Sequence, residues 1–389
     1  VGVLAAAGIE TPTAIQAASI PDALSGRDVL GRAHTGSGKT LAFGLPLLTR
    51  LADLAKPAGP TRDATARRAR QPGRPRGLVV LPTRELAQQV EAALAPLAAS
   101  LTLVSVTVVG GVPIARQLQQ LRRPVDLLIA TPGRLLDLLD RHAVTLEAVQ
   151  TVVLDEADHM ADLGFLPAVT RILDATPAER QCLLYSATLD RGIDRLAARY
   201  LHDPAEHRVD DSNLPPAAIE HRVFRLARTD KTTIAADIAA RSPRTLFFVR
   251  TKHGADRLAR QLRHAGIAAA ALHGNLNQNQ RRRSLDAFTS GDSSTLVATD
   301  VAARGLHVDG LDLVVHYDPP TDPKVYAHRS GRTARAGATG TVLTLVEPHQ
   351  LHDLSQLHAA AGIDASTTGV TPGHPAIRHL TERAHRTAS

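Results

Sequence analysis

The sequence predicts an α/β protein of two lobes, each a mostly parallel β-sheet flanked by helices. Two observations predict it. Short, nearly all-apolar runs recur between helical stretches, and the same alternation starts again after a polar, proline-rich break near the middle of the 389 residues. Apolar runs that do not alternate with polar residues mark strands buried on both faces, as in a parallel sheet covered by helices. The length allows two domains that each bury a core.

In the first lobe, residues 1–208, the runs at 28–31, 78–81, 104–109, 127–130, 152–154 and 183–185 are the predicted strands. Residues 209–217 contain Val209-Asp210-Asp211-Ser212-Asn213-Leu214-Pro215-Pro216, which suits neither a helix interior nor a central strand, and read as a linker. The second lobe, 218–362, places strands at 246–249, 268–272, 296–298, 313–315 and 342–346. Residues 51–77 hold four prolines and seven basic residues against Asp53 and Asp63, and predict a mobile basic insertion. Residues 363–389, rich in Gly, Thr, Pro and His, predict a flexible tail.

Composition excludes several classes. Hydrophobic residues at 43% and charged residues at 21% are not those of a disordered chain. A single cysteine, Cys182, rules out an internal disulfide framework and a thiolate metal cluster; it fits a reducing cytoplasm and is expected to be a packed core thiol. No apolar run reaches membrane-spanning length, and residues 1–8 lack a secretory pattern. The chain starts without Met, as a trimmed fragment would. Five of the seven units of net positive charge fall within 51–77, so total charge says little about a nucleic-acid face elsewhere. Ten Phe and Tyr residues and no Trp count against a base-stacking module. His349, His352 and His358 lack ligand spacing and are expected on exposed helix positions rather than on zinc.

The chemistry starts at Ala33-His34-Thr35-Gly36-Ser37-Gly38-Lys39-Thr40, between a predicted strand and a predicted helix. Small residues let successive backbone N–H groups face phosphate oxygens, a lysine answers the β/γ charge, and a hydroxyl can hold Mg²⁺. Ala33 replaces the first Gly of the common pattern. At the carboxyl end of another apolar run, Asp155 and Glu156 supply one carboxylate for a cation and one to activate water.

These residues, with Asp155-Glu156-Ala157-Asp158, resemble the DEAD-box ATP-dependent RNA helicases of bacterial type. The resemblance runs from about Gly8 to Gly340. It includes Thr11 through Gln16, Pro82-Thr83-Arg84-Glu85, Gly110-Gly111, Thr131-Pro132-Gly133-Arg134 and Ser186-Ala187-Thr188, then Leu272-His273-Gly274, Gln278 through Arg281, Ala298 through Gly305 and His328 through Arg335. It implies two tandem RecA-like domains, ATP and Mg²⁺ as cofactors, RNA as partner, and ATP hydrolysis coupled to local unwinding. By resemblance, Gln16 recognises adenine, Thr11 belongs to the same nucleotide-binding set, Lys39 and the 33–40 loop hold the phosphates, and Thr40 and Asp155 hold Mg²⁺. Glu156 activates water, and Arg332 and Arg335, expected on one helical face, act as arginine fingers. Asp158, Ser186 and Thr188 couple the nucleotide to RNA. Arg84, Gly111, Thr131, Arg134, Thr251, Gly274, Gln278, Arg281 and Thr299 contact the RNA backbone. These groups bind phosphate and sugar without reading sequence.

Some positions depart from the family pattern. An upstream adenine-stacking aromatic would precede Val1, His307 stands where an acidic residue commonly contacts the sugar, and Ala14 and Ala334 replace a usual Pro and Gly. No protein partner is specified; a monomer in the cytoplasm, off the membrane, is the expectation. An ATP-gated RNA clamp and a DNA translocase use the same residues and stay open as alternatives.

Overall fold

The computed structural model describes residues 2–33, 36–53, 71–188, 191–209, 219–242, 244–303, 311–334, 339–378 and 380. The chain divides into two compact units, Val1–Asp210 and Asp211–Ser389.

The strands of the first unit are β1 (Val29–Arg32), β2 (Gly77–Val80), β3 (Ser105–Val108), β4 (Leu127–Ala130), β5 (Thr151–Leu154), β6 (Gln181–Ser186) and β7 (Ala205–Arg208). They form one parallel sheet in the order β3-β4-β2-β5-β6-β1-β7. Every residue of β2, β4, β5 and β6 is buried, which is why these strands read as apolar runs, with the polar Thr151, Gln181 and Ser186 only at the ends of β5 and β6. Their side chains still alternate between two cores. Leu78, Val80, Val152 and Leu154 face Leu135, Leu138, Ile172 and Leu173 on one side. Val79, Leu81 and Val153 face Phe43, Leu47, Leu48 and Leu94 on the other. Each such side chain, fully withdrawn from water, stabilises the fold by roughly 1.5–3 kcal/mol.

The second unit contains β8 (Ile219–Arg225), β9 (Thr245–Val249), β10 (Ala269–Leu272), β11 (Thr295–Thr299), β12 (Leu313–His316), β13 (Gly340–Val346) and β14 (Ser366–Gly369). The sheet is again parallel, in the order β10-β11-β9-β12-β13-β8-β14.

Several expectations need correction. The tail is ordered where it is described: Ser366–Gly369 pairs with β8, and Val370, Ile377 and Leu380 enter the core with Phe224 and Ile234. Its polar composition hid three anchoring residues spread along the segment. Within 51–77, Leu51–Asp53 closes the helix Lys39–Asp53, while 71–77 packs against the first sheet. There Arg76, expected in solvent, is 8% exposed and pairs at 2.6 Å with the fully buried Asp126. Residues 54–70 lie outside the described residues, as do 210–217 of the linker; Val209 still belongs to the first sheet, donating its N–H to the Arg32 carbonyl. β7, β8 and β14 were missed because they are polar or alternating strands at or beside a sheet edge. Cys182 is buried in β6 as expected, and burial pushes its thiol up to about 12.

His358 also departs from expectation, being 8% exposed in the helix Leu351–Ala361. It joins a cluster centred on Tyr326, whose ring lies 4.8 Å from that of His316 and 5.0 Å from that of His358. The Tyr326 hydroxyl meets His221 Nδ1 at 2.9 Å. Burial lowers the pKa of all three histidines; His316 falls furthest, well below its ordinary value, helped by the Arg329 charge. A base whose folded pKa lies below its unfolded one takes up protons on unfolding, so stability is lost as pH falls below the unfolded value near 6.5. For His316 the loss is at most about 1.4 kcal/mol per pH unit, between its unfolded and folded pKa; the lesser shifts of His221 and His358 act over a narrower range. Urea midpoints measured from pH 7 to pH 5 should fall, and His316→Phe should flatten the dependence. Equal slopes for the two proteins would reject this reading.

Candidate functional site

A parallel sheet sends all its carboxyl ends to one edge, and the first unit gathers its candidate residues there. β1, β6 and β5 are neighbours, with Arg32 opposite Ser186 and Leu184 opposite Leu154, so the turns after them converge. Ala33 donates its N–H to the Ser186 carbonyl at 3.1 Å, and Asp155 donates its own to the Val80 carbonyl at 3.2 Å. His34 and Thr35 lie outside the described residues.

Lys39 opens the helix Lys39–Asp53 and is 5% exposed. Its ammonium donates to the Ala33 carbonyl at 3.1 Å and to Glu156 Oε1 at 2.9 Å, with Asp155 Oδ1 at 3.8 Å. Burial alone would lower the lysine pKa; the two carboxylates outweigh it and raise the pKa instead. Asp155 is raised to about 6, because burial outweighs the lysine's stabilising charge. Glu156 takes φ 55°, ψ 48°, a left-handed conformation uncommon outside glycine. Its N–H donates to Asp155 Oδ1 at 3.0 Å, which orients the Asp155 carboxylate, while Lys39 holds that of Glu156.

Gly36 and Gly38 both adopt φ 91°. At Gly38 a Cβ would come within 2.5 Å of Gln16 Nε2 and 2.7 Å of Thr13 Oγ1, so only glycine fits beneath that pair. Gln16 accepts from the Thr13 N–H at 3.0 Å and donates to the Gly38 carbonyl at 2.9 Å. Its amide thereby keeps one donor and one acceptor in reserve. Thr11 is exposed nearby in sequence, and Thr40 is half-buried in the first helical turn.

Asp158 links this cluster to the turn after β6. Its Oδ2 accepts from the Thr188 N–H at 2.9 Å and the Thr188 hydroxyl at 3.0 Å, and its own N–H donates to Ser186 Oγ at 3.2 Å. Ser186 Oγ in turn donates to the Thr188 carbonyl at 2.7 Å.

The other half of the same edge belongs to β2, β4 and β3, adjacent strands whose ends carry Arg84, Thr131 and Gly111. Gly111, at φ 75°, lies against Arg84; a Cβ there would overlap the guanidinium. Thr131 caps the helix Pro132–Asp140, the position expected for a helix starting at Pro132-Gly133. Arg134 donates to the Val112 carbonyl at 3.0 Å and Gln117 Oε1 at 2.9 Å, so it braces the Gly110–Gly111 turn.

In the second unit, β10, β11 and β9 lie side by side and end near Gly274, Thr299 and Thr251. Thr251 caps the helix Lys252–His264, accepting from the Gly254 N–H at 3.0 Å. Gln278 begins the helix Gln278–Ser290, where Arg281 is 8% exposed.

Arg332 departs from the helical placement expected of it. The helix Pro323–Ser330 ends at Gly331, and Arg332 follows in a turn held by the Thr333 hydroxyl, which donates to the Leu311 carbonyl at 2.5 Å. Arg332 therefore lies beyond the end of that helix; Arg335 and His307 lie outside the described residues. Ala334 sits at φ 55°, which explains the glycine usual there and costs Ala roughly 1–2 kcal/mol. Sequence reasoning assigned no role to Arg329, the best-anchored member of this stretch. It grips Asp300 with two bonds, 2.6 and 2.8 Å, donates to the Asp318 carbonyl at 2.7 Å and lies 5.1 Å from the Phe248 ring. An arginine and an aspartate, each inside a quoted motif, were the available signal.

Among the described residues no cluster of three or more His, Cys, Asp or Glu residues could hold a metal, and no helix is long and apolar enough to cross a membrane. The DEAD/DEAH box helicase family matches residues 13–196, and the helicase conserved C-terminal domain matches residues 230–337. An ATP-dependent RNA helicase DeaD from Mycobacterium tuberculosis is 41% identical over 91% of this chain, which spans 60% of that relative's length. S. cerevisiae Dbp5 bound to RNA and ADP BeF3 superposes with a TM-score of 0.80 at 26% identity, covering 98% of this chain and 95% of that one. A DEAD box protein from Methanococcus jannaschii shares 30% identity over 94% of this chain and 95% of its own, with a TM-score of 0.51. On these matches, the chain belongs to the DEAD-box helicase family.

Proposed function

We propose that the protein is an RNA-stimulated ATPase that binds single-stranded RNA across both units and unwinds short duplexes locally. The observation that carries this reading is the buried group of Lys39, Asp155 and Glu156, tied through Asp158 to Ser186 and Thr188.

Lys39 and the loop amides hold the β- and γ-phosphates, displacing the contacts the lysine makes with Ala33 and Glu156. Asp155 and Thr40 offer oxygen ligands, and a buried carboxylate whose pKa is raised suits a hard divalent cation. Mg²⁺, when bound there, neutralises charge on the phosphates. Glu156 orients the attacking water and takes its proton. Gln16 reads adenine through its remaining donor and acceptor. Arg332 and Arg335 are supplied by the second unit to stabilise charge on the transferring phosphoryl group. RNA lies on Arg84, Gly111, Thr131 and Arg134 of the first unit and on Thr251, Gly274, Gln278, Arg281 and Thr299 of the second. Its affinity falls with salt and varies little with sequence.

ATPase rates with no nucleic acid, with single-stranded RNA and with DNA of the same sequence test the assignment. Stimulation by RNA alone is expected; stimulation by DNA alone would replace it with a DNA translocase. A strand-displacement assay on a short RNA duplex separates unwinding from an ATP-gated clamp, which hydrolyses without displacing.

A further inference from the structure

The helix Lys252–His264 turns one face to its sheet through Ala255, Leu258, Ala259 and Leu262. At about 100° per residue, His253, Arg257, Arg260 and His264 fall on a single stripe directly opposite that face. All four are exposed. Arg257 and Arg260 form no ion pair among the described residues. The one acidic residue of the helix, Asp256, is drawn off the stripe by the buried His273, whose Nε2 lies 2.8 Å from its Oδ1. The basic stripe is therefore not neutralised by its own helix.

The stripe is continuous with a surface already described. Thr251 caps the first turn of this helix, and Lys252 donates to Asn275 Oδ1 at 3.0 Å, beside Gly274. From that point the axis runs for about 16 Å from His253 to His264 at 1.5 Å per residue. We infer that Arg257 and Arg260 form an outlying track for the RNA backbone, holding phosphates of the strand after it leaves Thr251 and Gly274. This rests on the RNA reading given above and extends it to a helix face that the motif residues do not include. Arginine on a rigid, exposed stripe matches a polyanion of regular spacing, and such contacts strengthen binding without reading bases.

The test uses the full chain with a non-hydrolysable ATP analogue and two uridine oligomers. One is just long enough for the motif residues, and the other is several nucleotides longer at each end. For Arg257→Ala/Arg260→Ala, affinity for the longer RNA is expected to fall on the order of tenfold near 0.1 M salt, with the short RNA unaffected. The log–log salt slope for the longer RNA should flatten by about 1.4, two phosphates at roughly 0.7 each. Arg257→Lys/Arg260→Lys, which keeps the charge, should restore most of that slope and exposes any fault of folding. Unchanged binding of the longer RNA, or equal losses on both oligomers, would overturn the track. A wild-type chain that binds neither oligomer overturns the RNA reading itself, and the track with it.

Discussion

Glu156→Gln is expected to bind ATP and RNA nearly as the wild type does while hydrolysis slows by roughly 10²–10⁴-fold, the usual share of a positioned general base. The substitution keeps the shape of the side chain. An amide oxygen still accepts from Lys39, now 2.9 Å away, so the phosphate-binding lysine stays in place. What disappears is the capacity to take a proton from water at neutral pH. Single-turnover hydrolysis, set beside the affinity of a fluorescent ATP analogue, separates the two effects. Near-normal turnover in the variant rejects Glu156 as the base. A proportional loss of nucleotide affinity would instead make it a structural partner of Lys39.

A loss as large or larger is expected from Arg332→Ala, about 10³–10⁵-fold in turnover if it acts as an arginine finger. Nucleotide affinity should change little, since Lys39 and the phosphate loop belong to the other unit. Arg332 is 8% exposed, so the fold must be checked independently; Arg332→Lys keeps a cation but not the planar fork, and should rescue little of the rate. Arg329 provides the contrast. Its two bonds to Asp300 make it a positioning residue, and Arg329→Ala should lower the unfolding midpoint as well as the rate. If Arg332→Ala raised the ATP KM and left kcat alone, the finger assignment would fail.

The central strands were legible because burial on both faces leaves a strand mostly apolar, as in Leu127–Ala130 and Val152 to Leu154. β8 is interrupted by Glu220, His221 and Arg222 in succession, and β14 is Ser-Thr-Thr-Gly, so neither shows that signature. Sequence-distant partners were also hidden. Asp158 and Thr188 are thirty residues apart, and their bond shows only once β5 and β6 are known to be neighbours. The resemblance assigned both residues to coupling but could not give the carboxylate's two bonds to Thr188. The helical position expected for Arg332 failed on a local cause: Gly331 caps the helix, and Thr333 draws the chain toward Leu311.

The left-handed backbone at Glu156 has a mechanical sequel. It packs the whole reversal from strand to helix into one residue, so Asp155 and Asp158 are separated by a stiff elbow rather than a pliant loop. When Asp155 shifts toward a cation, little slack lies between it and the carboxylate that moors Thr188. On the proposed function, a shift of Asp155 is then expected to reach the stretch 186–188 through those bonds.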